Sequence, residues 1–228
     1  VAPKAVLTDI EGTTTAIAFV KDRLFPFAEA ALDGFLTDHA ATPAVAAILD
    51  EVRAAAPGQP PAAVLRSWMA VDSKATPLKS LQGLIWRRGY EDGRLKGHLW
   101  PDVPGSLRAW AAAGLRLAVY SSGSVGAQKL LFGHSEAGDL TPLFTGFFDT
   151  TMGGKRETAS YASIARALEL PPAEVLFLSD TAEELDAAAA AGMRCCQLVR
   201  TEDGTVASGR HPVAADFPQA GEIFGLPQ

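Results

Sequence analysis

Asp9-Ile10-Glu11-Gly12-Thr13-Thr14-Thr15 sets two carboxylates two residues apart, directly behind the short apolar run Lys4-Ala5-Val6-Leu7-Thr8. That run reads as a buried strand, so the strand ends on an acid. At such a place one carboxylate can attack as a nucleophile while the other moves protons. Gly12 and the hydroxyls behind it release the chain from the sheet. Taken alone, the segment is equally an ordinary turn, because Asp, Gly and Thr are common after any strand. Partners elsewhere in the chain decide between the two.

Three such partners follow in order. Ser121-Ser122-Gly123-Ser124 stands between a strand ending at Tyr120 and a helix starting at Val125. Hydroxyls and backbone N–H groups at a helix start make a phosphate cradle, although a lone serine there is more often a simple N-cap. Gly153-Gly154-Lys155 also follows a strand, and a lysine behind two glycines can neutralise a phosphate as a point charge. Leu178-Ser179-Asp180-Thr181 ends another strand on an acid. With Asp9 it offers two hard oxygen ligands of the kind Mg²⁺ accepts. Glu183 and Glu184 come next, where they favour the helix dipole or support the site from behind. Each signal is weak alone. The ordered set is strong, because a parallel sheet gathers all four strand ends at one edge.

The elements that must position these residues are strands alternating with helices, interrupted once. From about Ala16 to His98 no strand is evident, and apolar residues recur at helical spacing, as in Val45, Ile48, Leu49 and Val52. The stretch 56–61 is a loop, and Thr76-Pro77 predicts a helix start with Thr76 as the cap. Beyond Trp100 the expected helices cover 104–113, 125–132, 157–168 and 182–191. The expected strands cover 115–120, 147–149, 175–178 and 194–199. This pattern predicts a doubly wound α/β core with an inserted helical domain. The tail after Arg200 is rich in Gly and Pro and is left unassigned.

Composition fits that architecture. The chain has 228 residues, 48% hydrophobic and 20% charged, enough for one sizeable core or a core plus a small second domain. The net charge of -6 and the lack of a basic run argue against nucleic acid or an anionic membrane surface as partners. Any phosphate must therefore be held by local groups. The only two cysteines, Cys195 and Cys196, are adjacent in an apolar run and read as buried free thiols of a reducing compartment. No signal peptide or spanning segment is evident, so a cytoplasmic protein is expected.

Asp9-x-Glu11-Gly12-Thr13, Ser121/Ser122, Lys155 and Asp180 resemble the four motifs of the haloacid dehalogenase (HAD) superfamily. The resemblance implies a HAD-like, Rossmann-like core over residues 1–15 and 99–228, with a helical cap domain, 16–98, inserted after the first motif. More narrowly, Asp9 to Thr15, Phe19 to Asp22, Leu24-Phe25-Pro26, Leu81-Gln82-Gly83 and Tyr120 to Gly133 resemble the bifunctional enolase-phosphatases of methionine salvage. That family implies a phosphorylated diketone substrate, 2,3-diketo-5-methylthiopentyl 1-phosphate. It is enolised and then dephosphorylated to the acireductone 1,2-dihydroxy-3-keto-5-methylthiopentene by a monomer with Mg²⁺ as cofactor.

On this resemblance the expected roles are specific. Asp9 is the nucleophile and Glu11 the acid/base. Ser121, Ser122 and Lys155 bind the phosphoryl group, and Lys155 also offsets charge in the transition state. Asp9, Asp180 and the backbone carbonyl of Glu11 hold the metal. Most superfamily phosphatases carry Asp where Glu11 stands, so the carboxyl here reaches further by one methylene, on the order of 1.5 Å. The enolisation base stays open, with Glu11 one candidate. Lys21, Gln82, Trp86 and Arg87 are candidates for the substrate side, Trp86 reading more readily as core. The rival expectations are a phosphatase for another small ester without enolase activity, and a non-enzymatic binding protein.

Overall fold

The computed structural model describes residues 2–227. The chain runs β1 (Ala5–Thr8), α1 (Ile17–Phe19), a π-helical turn (Val20–Leu24), α2 (Phe25–His39), α3 (Pro43–Ala55), α4 (Pro61–Ala70) and α5 (Thr76–Glu91). It continues through α6 (Val103–Ala112), β2 (Arg116–Tyr120), α7 (Val125–Gly133), β3 (Phe144–Phe148), α8 (Thr158–Ala167), β4 (Val175–Ser179), α9 (Ala182–Ala190), β5 (Arg194–Leu198), β6 (Val213–Ala214) and α10 (Phe217–Phe224). By contacts it divides into two compact units, Val1–Ile17 with Lys96–Gln228, and Ala18–Leu95.

The larger unit is built on one parallel sheet of six strands in the order β3-β2-β1-β4-β5-β6. The order reverses between β1 and β4, both central, and such a switch point opens a crevice at the carboxyl ends of its strands. Alternate residues of a strand face opposite sides of a sheet. One side, including Leu7, Ala118, Tyr120 and Phe177, packs with Tyr161 and Ile164 of α8 and Leu185 of α9 into a single core. The intervening residues Val6, Leu117, Val119, Leu176, Leu178 and Cys196 are equally buried, which is why these strands read as continuous apolar runs. Trp110 of α6 stacks on Phe217 of α10, with ring centroids 5.4 Å apart.

The smaller unit is helical. Proline stands in the first turn of α2, α3, α4 and α5, where its missing N–H costs nothing. Leu32, Val52, Leu65, Leu81 and Ile85 close its core. Thr76 is not the cap expected from sequence: the helix begins at Thr76 itself, Ala75 takes the cap position, and no side chain caps it. Trp86 sits at the rim of this core, half-buried, and donates its Nε1–H to the Leu24 carbonyl at 2.8 Å, tying α5 to the end of the π turn. Gln82 is buried, while Lys21 and Arg87 are exposed.

Two further differences concern the core. β3 spans Phe144–Phe148 rather than 147–149. The unassigned tail holds β6 and α10, whose first turn is capped by the Asp216 carboxylate, accepting from the Gln219 N–H at 2.7 Å. Among the described residues no helix is long and apolar enough to cross a membrane. Cys195 and Cys196 are buried and free, and burial pushes both thiols up to about 12.

Candidate active site

Asp9 is the first residue past β1, and its N–H still bonds the Leu178 carbonyl of β4 at 2.9 Å. The chain then turns sharply. The N–H groups of Thr13, Thr14 and Thr15 all point at the Ile10 carbonyl, at 3.1, 2.9 and 2.9 Å. Gly12 sits at φ +79°, a region side-chain-bearing residues avoid, and a Cβ there would lie 2.5 Å from Asp180 Oδ2. Glycine therefore lets the two acid-bearing loops approach. Thr13 Oγ1 completes the contact by accepting the Asp180 N–H at 3.0 Å.

Lys155 reaches this point from the loop after β3. Its Nζ donates to Asp9 Oδ1 at 2.6 Å and pairs with Glu184 Oε2 at 2.7 Å. The loop backbone is fixed from three directions. Tyr120 Oη donates to the Gly153 carbonyl at 2.8 Å, Ser160 Oγ to Gly154 at 2.9 Å, and Tyr161 Oη to Lys155 at 2.6 Å. Gly153 has φ +122°, and a Cβ there would collide with Ser160 Oγ. The pair of glycines is thus a packing requirement as well as a close approach.

Electrostatics mark the same cluster. Burial works against the Lys155 charge, yet the Asp9 and Glu184 carboxylates outweigh it and hold the ammonium well above the usual lysine range. Burial, reinforced by the Asp9 charge, pushes Asp180 up to about 6. The same two causes raise Glu184, against the pull of Lys155 and a hydrogen bond from Ser179 Oγ. So negative charge exceeds what one ammonium neutralises, and a cation or the positive ends of donors have an energetic place here.

An open cavity of about 590 Å³ lies over these groups, lined by Asp9, Glu11, Ser121, Ser122, Lys155 and Asp180 among others. The six residues expected from sequence to carry out the phosphoryl chemistry therefore line one space, whereas the substrate-side candidates Lys21, Gln82, Trp86 and Arg87 are not among its lining. Ser121 is buried and its Oγ accepts the Gly123 N–H at 3.2 Å, whereas Ser122 is exposed. The helix cap is Ser124, whose Oγ accepts the Ala127 N–H at 3.2 Å, which leaves the other two serines to the cavity. Glu11 stands exposed beside Asp9.

Thr150, Arg156 and Glu157 also line the cavity and carried no expectation from sequence, and Glu184, one of the two acids offered either to the helix dipole or to support of the site, lines it too. Glu184 alone had a signal, its position one helical turn after Asp180. Among the described residues no three His, Cys, Asp or Glu side chains converge as a metal cluster. The donor chemistry nonetheless fits Mg²⁺, which takes one or two carboxylates and completes its shell with water and phosphate oxygens. Asp9 and Asp180 would supply the two carboxylates, and they lie close enough that the Asp9 charge raises the Asp180 pKa.

Comparison with known proteins extends this geometry to kinship. Residues 3–192 match the family model of haloacid dehalogenase-like hydrolases. Enolase-phosphatase E1 of Granulibacter bethesdensis is 58% identical over 99% of this chain and 98% of that protein. Enolase-phosphatase E1 of Pseudomonas aeruginosa is 58% identical over 94% of this chain and 96% of its own. Among solved structures, the UTR4 protein of Saccharomyces cerevisiae superposes with a TM-score of 0.82 at 35% identity, covering 94% of this chain and 98% of that one. CbbY of Rhodobacter sphaeroides, with a TM-score of 0.62 at 20% identity, shares the fold. A doubly wound sheet, an acid at each of its two central strand ends and a full-length match to these relatives lead to one statement: the chain belongs to the haloacid dehalogenase-like hydrolases, among the relatives of enolase-phosphatase E1.

Proposed function

We propose that this protein is a Mg²⁺-dependent enolase-phosphatase of methionine salvage. It converts 2,3-diketo-5-methylthiopentyl 1-phosphate to the acireductone 1,2-dihydroxy-3-keto-5-methylthiopentene and phosphate. The observation that carries the reading is the largely buried Asp9–Lys155–Glu184 ion triplet facing Asp180 across Gly12 at the sheet's switch point. The relatives' shared activity supplies the substrate class.

Enolisation comes first. It removes a carbon-bound proton beside a carbonyl, and Glu11, exposed in the cavity, is the base within the larger unit that we favour. Asp9 then attacks phosphorus. A carboxylate O–P bond forms, the substrate's ester P–O bond breaks, and the leaving oxygen takes a proton from Glu11. Water attacks the aspartyl-phosphate, Glu11 accepts its proton and returns it to the enolate oxygen, phosphate departs, and Asp9 and Glu11 are both restored. Lys155 holds Asp9 in place and balances charge on the phosphoryl oxygens, with Ser121, Ser122 and the N–H groups of their turn as further donors. Asp9, Asp180 and the Glu11 carbonyl would hold Mg²⁺, which neutralises phosphate charge and steadies its orientation.

The helical unit corresponds to the cap domain of the family. The protein acts as a monomer in the cytoplasm, in keeping with two free buried thiols. One experiment tests the whole reading: incubation with the diketo phosphate, following enol absorbance and released phosphate separately, with and without EDTA. Both signals appear and EDTA abolishes phosphate release. Phosphate release from simple esters with no enol product would instead mark a phosphatase of another small ester.

A further inference from the structure

β5 ends at Leu198, and two buried polar side chains at that end reach across to backbone atoms of both acid-bearing loops. Gln197 is 2% exposed, and its amide is fully engaged. Nε2 donates to the Asp180 carbonyl at 2.9 Å and the Val206 carbonyl at 3.2 Å, while Oε1 accepts the Ser208 N–H at 2.8 Å. Arg200 is 4% exposed and donates twice to the Thr13 carbonyl, from Nε at 3.1 Å and Nη2 at 2.9 Å. Its other face forms a bidentate pair with Asp102, at 2.9 and 3.0 Å. The guanidinium lies 5.3 Å from the Trp100 ring centroid and 5.8 Å from that of Phe217. Asp102 is itself fixed, since Oδ2 also accepts the Phe217 N–H at 2.9 Å.

These contacts form a closed circuit. Arg200 grips the residue after Gly12, Gln197 grips Asp180, and Thr13 Oγ1 joins the two loops by accepting the Asp180 N–H. We propose that Gln197 and Arg200 are positioning residues that set the spacing between the Asp9 and Asp180 loops. The need for such a restraint is physical. Two acids share a poorly hydrated space and repel, so their loops would separate unless something unrelated to the substrate held them. Neutral carbonyl and amide contacts behind the loops do this without adding charge in front of them. A planar guanidinium with several fixed donors suits a grip on two groups at once, which a flexible ammonium does not provide. Groups that orient metal-holding residues from behind typically alter affinity or rate by about 10- to 100-fold when removed.

The inference rests on the proposed Mg²⁺-dependent phosphatase reading, and the test separates the two. Gln197→Met, Arg200→Lys and the pair Thr13→Val and Thr13→Ser are compared with the parent protein for melting temperature, Mg²⁺ affinity by calorimetry, and kcat and KM on an aryl phosphate. Failure of the parent to bind Mg²⁺ or release phosphate overturns the underlying reading. With an active parent, the expected result is a folded Gln197→Met or Arg200→Lys variant that binds Mg²⁺ about tenfold more weakly. Its kcat drops by a similar factor with KM changed less than about threefold, and Thr13→Ser rescues what Thr13→Val loses. Folded variants with Mg²⁺ affinity and kcat within about twofold of the parent overturn the positioning role, as does a set of variants that all fail to fold, which would make these residues structural only.

Discussion

Two buried cations serve carboxylates in the same unit in opposite ways. Lys155 places one ammonium between Asp9 and Glu184 beside an open cavity, in a cluster where burial and like charges displace several pKa values. Arg200 engages a single acid, Asp102, through two parallel bonds and is packed between Trp100 and Phe217. The first arrangement leaves negative charge unbalanced beside the cavity, where a bound cation can offset it. The second balances charge where nothing is to react. A point charge on a flexible stem can follow a transferring group, whereas a rigid fork fixes backbone. Burial of an ion pair is therefore no mark of function by itself, and excess charge beside solvent is the better sign.

The largest expected effect breaks the Lys155 side of this contrast. Asp9→Asn keeps the side chain's size but not its nucleophilicity, and phosphate release falls by at least about 10⁴-fold while circular dichroism stays unchanged. Substantial residual turnover would remove Asp9 as the nucleophile. Next, Arg200→Ala leaves the partly buried Asp102 without its ion partner and costs about 2–4 kcal/mol of stability, read by urea unfolding. A loss under ~1 kcal/mol would show that the aromatic packing, not the charge pair, holds that region. Lys155→Ala lowers kcat by about 10²–10³-fold. If its kinetic effect is only a few-fold, the lysine is structural and the contrast fails.

A smaller effect sharpens the comparison through pH. Asp180 is raised from the usual carboxylate range to about 6, so the folded protein holds its proton more tightly than the unfolded chain. In metal-free protein its contribution to stability is therefore lost as pH climbs from about 4 to above 6. Asp180→Asn should accordingly raise the melting temperature of metal-free protein at pH 7.5, by the equivalent of about 1–3 kcal/mol, and leave it nearly unchanged at pH 4. Thermal scans at the two pH values check this, and an equal shift at both would assign the gain to something other than charge.

Much of the core was legible because buried parallel strands are continuous apolar runs ended by an acid or hydroxyl, as at Thr8-Asp9 and Ser179-Asp180. β3 was misplaced because it is an edge strand, only half-buried, with Gly146 in its middle, so its apolar signal is broken. α10 was hidden by Pro218 and two glycines, although Asp216 with Pro218 is a sound helix start. The site's acids, serines and lysine were visible as side-chain types at strand ends. Gln197 and Arg200 were not, because their partners on those loops are carbonyls, which carry no residue identity, and lie far away along the chain. Only the folded register brings them together.

The Arg200–Thr13 contact also has a consequence in time. Its partners are 187 residues apart in sequence, so a growing polypeptide on the ribosome exposes the nucleophile loop long before its grip exists. Contacts of such span form late. On the proposed reading, chemical competence is thus withheld until Arg200 has been made, and a product that stops before it carries Asp9 but not the grip on its loop.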